Sequence, residues 1–183
     1  YFSENDVRKD LNSESSYWGK LPENLLKNHS SSCWVYIKAA RGNIKTYCSK
    51  LNFLNIKNEY THHMPIEIFI SFKEFFLCYL RWLKMSYKGA RILHDQNLLD
   101  YKYFCFIKSD LRHSLCGLEL LENIFYDAVF KSLVGSINEP KNSFYLHENQ
   151  SWEYFLRLHW NQKHENKLSG FAHSYIRFWD LRY

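Results

Sequence analysis

Ser71-Phe72-Lys73-Glu74 has the form of a capping box, in which a serine hydroxyl accepts from the amide three residues on and the glutamate reaches back. It opens a run that is apolar or aromatic almost throughout: Phe75, Phe76, Leu77, Cys78, Tyr79, Leu80, Trp82, Leu83, Met85 and Tyr87. Gly89 stands where a helix C′ residue belongs. Arg81, Lys84 and Lys88 share one narrow face at helical spacing, and everything else on the cylinder is greasy. A helix apolar nearly all round is a core helix, so the spacing predicts a central buried helix over 71–88 with a single basic edge. Glu67, Lys73, Glu74, Arg81 and Lys84 interrupt the apolar stretch, and charges at those positions argue against a membrane span.

The rest is arranged around that helix. Leu111, Leu115, Leu118, Leu121, Phe125, Val129 and Leu133 recur at spacings of three and four, which predicts an amphipathic helix over 110–134 packed on the central one, with Gly135 ending it. Residues 101–108 have strand composition, and 33–48 read as a β-hairpin turning at Arg41-Gly42-Asn43. Residues 51–60 fit strand or helix equally, and Thr61 to Pro65 reads as a break. Ser151 to Trp160 is expected to be a third helix with Trp152, Phe155, Leu156 and Trp160 on its inner side, and Phe171 to Tyr183 an aromatic C-terminal helix, with strand as the alternative for part of it. The fold class that follows is α+β, predominantly helical. Its domain division is a surface-lying segment 1–32, itself with short helices at 6–11 and 22–26, and one globular domain 33–183, within the size range of a single core.

With 14 Tyr, 14 Phe and 6 Trp among 183 residues, the core is expected to be built from rings. Six Gly and three Pro leave little room for linkers or a turn-dense sandwich. The net charge of +5 is compatible with an anionic partner. Five cysteines at 33, 48, 78, 105 and 116, odd in number and without a CxxC pair, point to free thiols and an intracellular, alternatively nuclear, location.

No phosphate-loop, dinucleotide, zinc-protease or nucleophile-elbow motif occurs, Cys and His never adopt zinc-ligand spacing, and nothing implies a cofactor or a metal. Two constellations fit nucleic acid. Arg81, Lys84, Lys88 and Arg91 make a four-cation stripe if the helix continues past Gly89. In the hairpin, Trp34, Tyr36 and Lys38 share a face, with Lys45 on the return strand; rings that stack on bases beside cations suit a single strand if the aliphatic Val35 and Ile37 face inward. The plainer use of both is a solvated helix edge and rings tucked under a loop. Trp152, Trp160, Tyr175, Phe178 and Trp179 give the C-terminal third the aromatic character of a protein interface.

Arg157 and His164 lie seven residues apart, and this spacing resembles the active-site motif of the HEPN family of metal-independent ribonucleases. The resemblance covers two residues; it implies a proton-handling histidine and a phosphate-steadying arginine. Three functions therefore stand as expectations. The first is a non-enzymatic interaction or scaffold subunit of an intracellular, nucleoprotein-type complex, with another protein as partner. The second is an RNA- or DNA-binding module, and the third a metal-independent ribonuclease.

Overall fold

The computed structural model describes residues 18–28, 30–37, 44–57, 60–94, 104–140, 142–148 and 150–172. It is predominantly helical with two small sheets, an α+β protein. The chain groups into two compact units, Tyr1–Ile68 and Phe69–Tyr183.

In the first unit α1 spans Leu21–Lys27, β1 Ser32–Tyr36, α2 Ile44–Lys57 and β2 Thr61–Pro65. The expected hairpin over 33–48 is not formed. β1 pairs in parallel with β2, from Ser32 opposite Thr61 to Tyr36 opposite Pro65, and α2 is the crossover that parallel strands require. The residues after the turn belong to a fourteen-residue helix whose Leu51 and Leu54 are buried three apart. A five-residue window reads that helix's start as a returning strand. Thr61 to Pro65, expected to be a break, is a strand, although Pro65 does impose the extended conformation anticipated for Met64.

Trp34, Val35, Tyr36 and Ile37 are all half-buried, so the rings of β1 are covered, as in the plainer of the two expectations. Tyr36 packs on Leu51 and Leu54 and stacks on His63 at 5.8 Å. Its hydroxyl is 2.8 Å from His63 Nδ1. Asn55 of α2 clamps the same residue through its backbone: the His63 N–H donates to Oδ1 at 2.6 Å, and Nδ2 donates to the His63 carbonyl at 2.8 Å. The ring is 2% exposed, and Nε2 is buried with no hydrogen-bond partner. Burial, reinforced by His62, pushes the imidazole down to about 4.

In the second unit α3 spans Phe72–Leu93, α4 Phe104–Cys116, α5 Leu118–Ser136, β3 Ser143–His147, α6 Ser151–Lys163 and β4 Leu168–Ala172. The capping box is present: the Ser71 amide donates to Glu74 Oε2 at 2.9 Å, and the Glu74 amide to the Ser71 hydroxyl at 3.2 Å. Gly89 does not end the helix. It lies inside α3, where its missing side chain admits the backbone of Leu115; an added Cβ there sits 2.9 Å from the Leu115 Cβ. The predicted strand at 101–108 and helix at 110–134 are instead two helices meeting at Gly117, with 101–103 outside the described residues. Gly117 is extended (φ −88°, ψ −166°) and caps α5. The buried residues of α5 are accordingly Leu120, Ile124, Tyr126, Val129, Phe130, Leu133 and Val134, while Leu118 at the break is exposed.

The third helix forms as expected. Its buried Glu153 is the capping partner of Gln150, and Lys163 in its last turn donates to the carbonyls of Val134, Gly135 and Ile137, closing the C-terminus of α5. The strand–helix–strand arrangement of the first unit recurs here: β3 and β4 are parallel, with Ser143 opposite Leu168 and α6 between them. Phe171 and Ala172 belong to β4, the strand alternative for that part of the C-terminal stretch, and 173–183 lie outside the described residues, as do residues 6–11. No helix among the described residues is long and apolar enough to cross a membrane.

Two outcomes follow for stability. Gly→Ala inside a helix ordinarily stabilises by about 1 kcal/mol, and Gly135→Ala, which meets nothing, should do so; Gly89→Ala should instead destabilise by about 1–3 kcal/mol because it overpacks against Leu115. Urea unfolding of the two variants checks the opposite signs. His63 takes up its proton less readily folded than unfolded, so its contribution is complete above about pH 6.5, declines as pH falls, and is gone by about 4. At about 1.4 kcal/mol per pH unit the loss amounts to about 3 kcal/mol; His63→Gln should flatten that limb of the stability–pH curve.

Candidate functional site

α3 was expected to be buried on most sides, and it is not. Its inner stripe, Cys78, Trp82, Ser86, Gly89 and Leu93, runs at spacings of four, four, three and four and faces α4 and α5. These residues are mostly small or polar because they cover the break between α4 and α5. Trp82 Nε1 donates to the Gly117 carbonyl at 3.0 Å, and the Ser86 hydroxyl to the Cys116 carbonyl at 3.3 Å. Cys78, 6% exposed, packs with Leu120 and Ile124.

A second stripe, Phe72, Phe76, Leu80, Leu83 and Tyr87, repeats the same spacing about 120° round the cylinder, at roughly 100° per residue. All five are exposed, from 45% at Leu80 to 96% at Phe72. Fully burying such a side chain is worth about 1.5–3 kcal/mol, so the helix leaves these five large side chains uncovered although Trp82 and Leu93 face inward. Next to that stripe, on the side away from the inner one, lie Lys73, Lys84, Lys88 and Arg91, all exposed. The outer face is therefore a row of rings and leucines with a cationic border.

Of the predicted cation stripe, α3 does carry all four members, because the helix runs on to Leu93. Arg81 is set apart from the rest: its Nη1 bonds Asp127 Oδ2 at 2.6 Å. Asp127 Oδ1 also meets His159 Nε2 at 3.0 Å, so one carboxylate on α5 joins α3 to α6. Burial alone would raise the Asp127 pKa, but hydrogen bonds from Arg81 and His159 overcome it and hold the carboxyl below its usual range.

The aromatic platform of the first unit is not open. Tyr36 is engaged with His63, Trp34 donates to the Ser32 hydroxyl at 3.2 Å and meets the edge of Trp18 at 6.0 Å, and Lys45 is exposed on α2 rather than on a return strand. Lys38 lies outside the described residues. Trp152 and Trp160 prove to be core: Trp152 stacks on Phe130 at 6.0 Å, and Trp160 is buried with Nε1 donating to the Asn166 carbonyl at 2.8 Å. Both indoles lie on the inner side of the third helix, as its pattern of apolar residues placed them, and that burial is at odds with the partner role also given them. Tyr175, Phe178 and Trp179 lie outside the described residues.

Arg157 and His164 are not brought onto one face. α6 ends at Lys163, His164 is extended (φ −119°, ψ 134°), and its ring packs on Trp160 at 4.7 Å. No group of three or more metal-binding side chains gathers among the described residues. Asp127 and His159, 32 residues apart, carry no local sequence signal; His147 and Glu153, which bond each other beside the start of α6, were within reach of the capping pattern Gln150-x-x-Glu153.

No family model, curated protein or solved structure matches this chain.

Asp127→Asn should lower stability by about 1–2 kcal/mol at pH 7, the share through exposed Arg81 being the smaller because solvent screens it. A carboxyl held low stabilises above its unfolded pKa and loses that contribution as pH falls through its folded value. The gap between Asp127→Asn and the parent should therefore close in strong acid, as denaturation midpoints at pH 7 and below pH 3 would register.

Proposed function

We propose that this chain is a non-enzymatic interaction subunit that docks a partner protein along the outer face of α3. The observation that carries the reading is the exposure of one whole stripe of that helix: Phe72, Phe76, Leu80, Leu83 and Tyr87 turn to water, while Cys78, Trp82, Ser86, Gly89 and Leu93 form the inner side. Monomers rarely expose contiguous apolar patches of more than a few hundred Å², and larger ones mark interaction sites. Charge complementarity defines the partner: an apolar surface or groove rimmed by carboxylates, which would meet Lys73, Lys84, Lys88 and Arg91. An amphipathic helix presented at such spacing suits helix-in-groove recognition. Five unpaired thiols and a basic charge support an intracellular setting for the subunit.

A nucleic-acid partner is the second reading, supported by Lys84, Lys88 and Arg91, three exposed cations at spacings of four and three on one helix edge. Salt separates the two readings. Phosphate contacts weaken steeply between 50 and 200 mM salt, on the order of one power of salt concentration per contact, whereas apolar docking does not.

Phe76→Asp combined with Leu83→Asp should leave the fold intact, because both side chains are exposed. It should weaken association with the partner at least about 100-fold, as truncating two central anchors does. Circular dichroism and a titration against the partner purified with the wild-type chain check this. Equal affinity of the double variant defeats the reading, as does wild-type chain that self-associates through this face or covers it with its own remaining residues. Nuclease treatment that releases the partner transfers support to the nucleic-acid reading.

A further inference from the structure

α2 lies against one face of the two-stranded sheet of the first unit, and the opposite face carries a different set of side chains. On the α2 side the Ser32 hydroxyl donates to Thr61 Oγ1 at 3.4 Å, Tyr36 stacks on His63, and Leu51 and Leu54 pack on Tyr36. Side chains alternate along a strand, so Cys33 and Val35 of β1, with His62 and Met64 of β2, share the face turned from α2. Burial agrees at the first pair: Cys33 is exposed between half-buried neighbours, and His62 is exposed between buried ones.

The register brings three ligand side chains of this face together. Cys33 is directly opposite His62, and neighbouring strands run about 4.8 Å apart. Met64 follows His62 by two residues, about 6.6 Å along the same strand. It is diagonal to Cys33, a separation that long side chains span, and its three rotatable bonds let the thioether turn towards the pair. Val35, opposite Met64, has no donor atom to offer.

A thiolate, an imidazole and a thioether form a soft donor set. Cys33 and His62 alone fall short of the three or four protein ligands of a zinc site, and no third His, Cys, Asp or Glu joins them among the described residues. A thioether adds little for zinc or a hard cation, but together with a thiolate it selects Cu(I). The pair is not a nucleophile with its base either. Cys33 is exposed as a residue, yet the chain around its sulfur desolvates the thiol and pushes it above its ordinary value, whereas a nucleophilic cysteine needs that value lowered.

We propose that Cys33, His62 and Met64 bind one Cu(I) ion on the face of this sheet turned from α2. The copper keeps its oxidation state; the S–H bond of Cys33 breaks, its proton goes to solvent, and the thiolate takes the ion. The site lies in the first unit and does not use the outer face of α3, so this assignment and the partner-docking reading can fail separately.

The test is titration of the full chain with Cu(I) against a colorimetric Cu(I) chelator, under a reductant that does not bind copper, with Zn(II) for comparison. One Cu(I) should bind tightly per chain, and Zn(II) at least about 100-fold more weakly. Cys33→Ser, His62→Gln and Met64→Leu should each weaken Cu(I) at least about tenfold, the loss that even the partners of metal ligands cause. Cys48 and Cys105 are also exposed thiols, so Cys48→Ser and Cys105→Ser are the controls, and neither should move this site. Cys33 and His62 are exposed, and Leu conserves the volume of Met64, so circular dichroism should show all variants folded. Copper-edge X-ray absorption should count two sulfurs and one nitrogen round the ion, with one sulfur fewer in Met64→Leu. Unchanged Cu(I) affinity in any of the three ligand variants, an equal fall in either control, or Zn(II) bound as tightly as Cu(I) would each overturn the proposal.

Discussion

The second unit depends on how α3 covers the break at Gly117. Two helices that meet at an extended glycine leave carbonyls at the end of the first without helical partners, and buried carbonyls must be satisfied. Trp82 and Ser86 donate to those of Gly117 and Cys116, and Gly89 lets the backbone of Leu115 come close. These duties dictate which residues α3 turns inward. A stripe that must donate hydrogen bonds and admit a backbone has room for Trp82 and Leu93 but not for an unbroken row of large side chains, and Phe72, Phe76, Leu80, Leu83 and Tyr87 fall on another face.

Polar anchoring recurs at the helix ends and inside both strand–helix–strand units. Asn55 holds His63 by both backbone groups, Glu153 holds the link from β3 into α6, and Lys163 closes α5 through three carbonyls. A two-stranded parallel sheet is marginal by itself. In each unit it is joined to its crossover helix by a side chain that bonds backbone: Asn55 reaches from α2 to β2, and Glu153 from α6 to the residue that follows β3. The aromatic composition then fills the space between, as in the contact of Tyr36 with His63 and of Trp152 with Phe130.

What the sequence made legible was local. The capping box at Ser71, the third helix at Ser151 and the predominance of helix follow from spacings of three and four residues. What misled was also local: a turn-like Arg41-Gly42-Asn43 suggested a hairpin, though parallel pairing of β1 to a strand 29 residues away has no signature in a short window. The burial of α3 was misjudged for a different reason. Periodicity shows that two stripes exist, Cys78 to Leu93 and Phe72 to Tyr87, but hydrophobicity alone ranks the second as the core. Only the partner helices reveal that the inner face needed donors and small volumes. Asp127 with His159, and Tyr145 with Gly170, are likewise products of tertiary contact.

Asp127 also explains why the cation row of α3 is not uniform. Arg81 is drawn away from it by the carboxylate, which at the same time bonds His159 of α6. Lys84, Lys88 and Arg91 keep the border of the apolar stripe, while Arg81 holds α3 in register with α5 and α6. A helix that presents a large apolar face to water gains little from that face towards its own unit, so its position must be fixed from the other side. The bonds from Trp82, Ser86 and Arg81 do that. They are directional where apolar packing is not, and they set the rotation of α3 about its axis, hence which stripe looks outward.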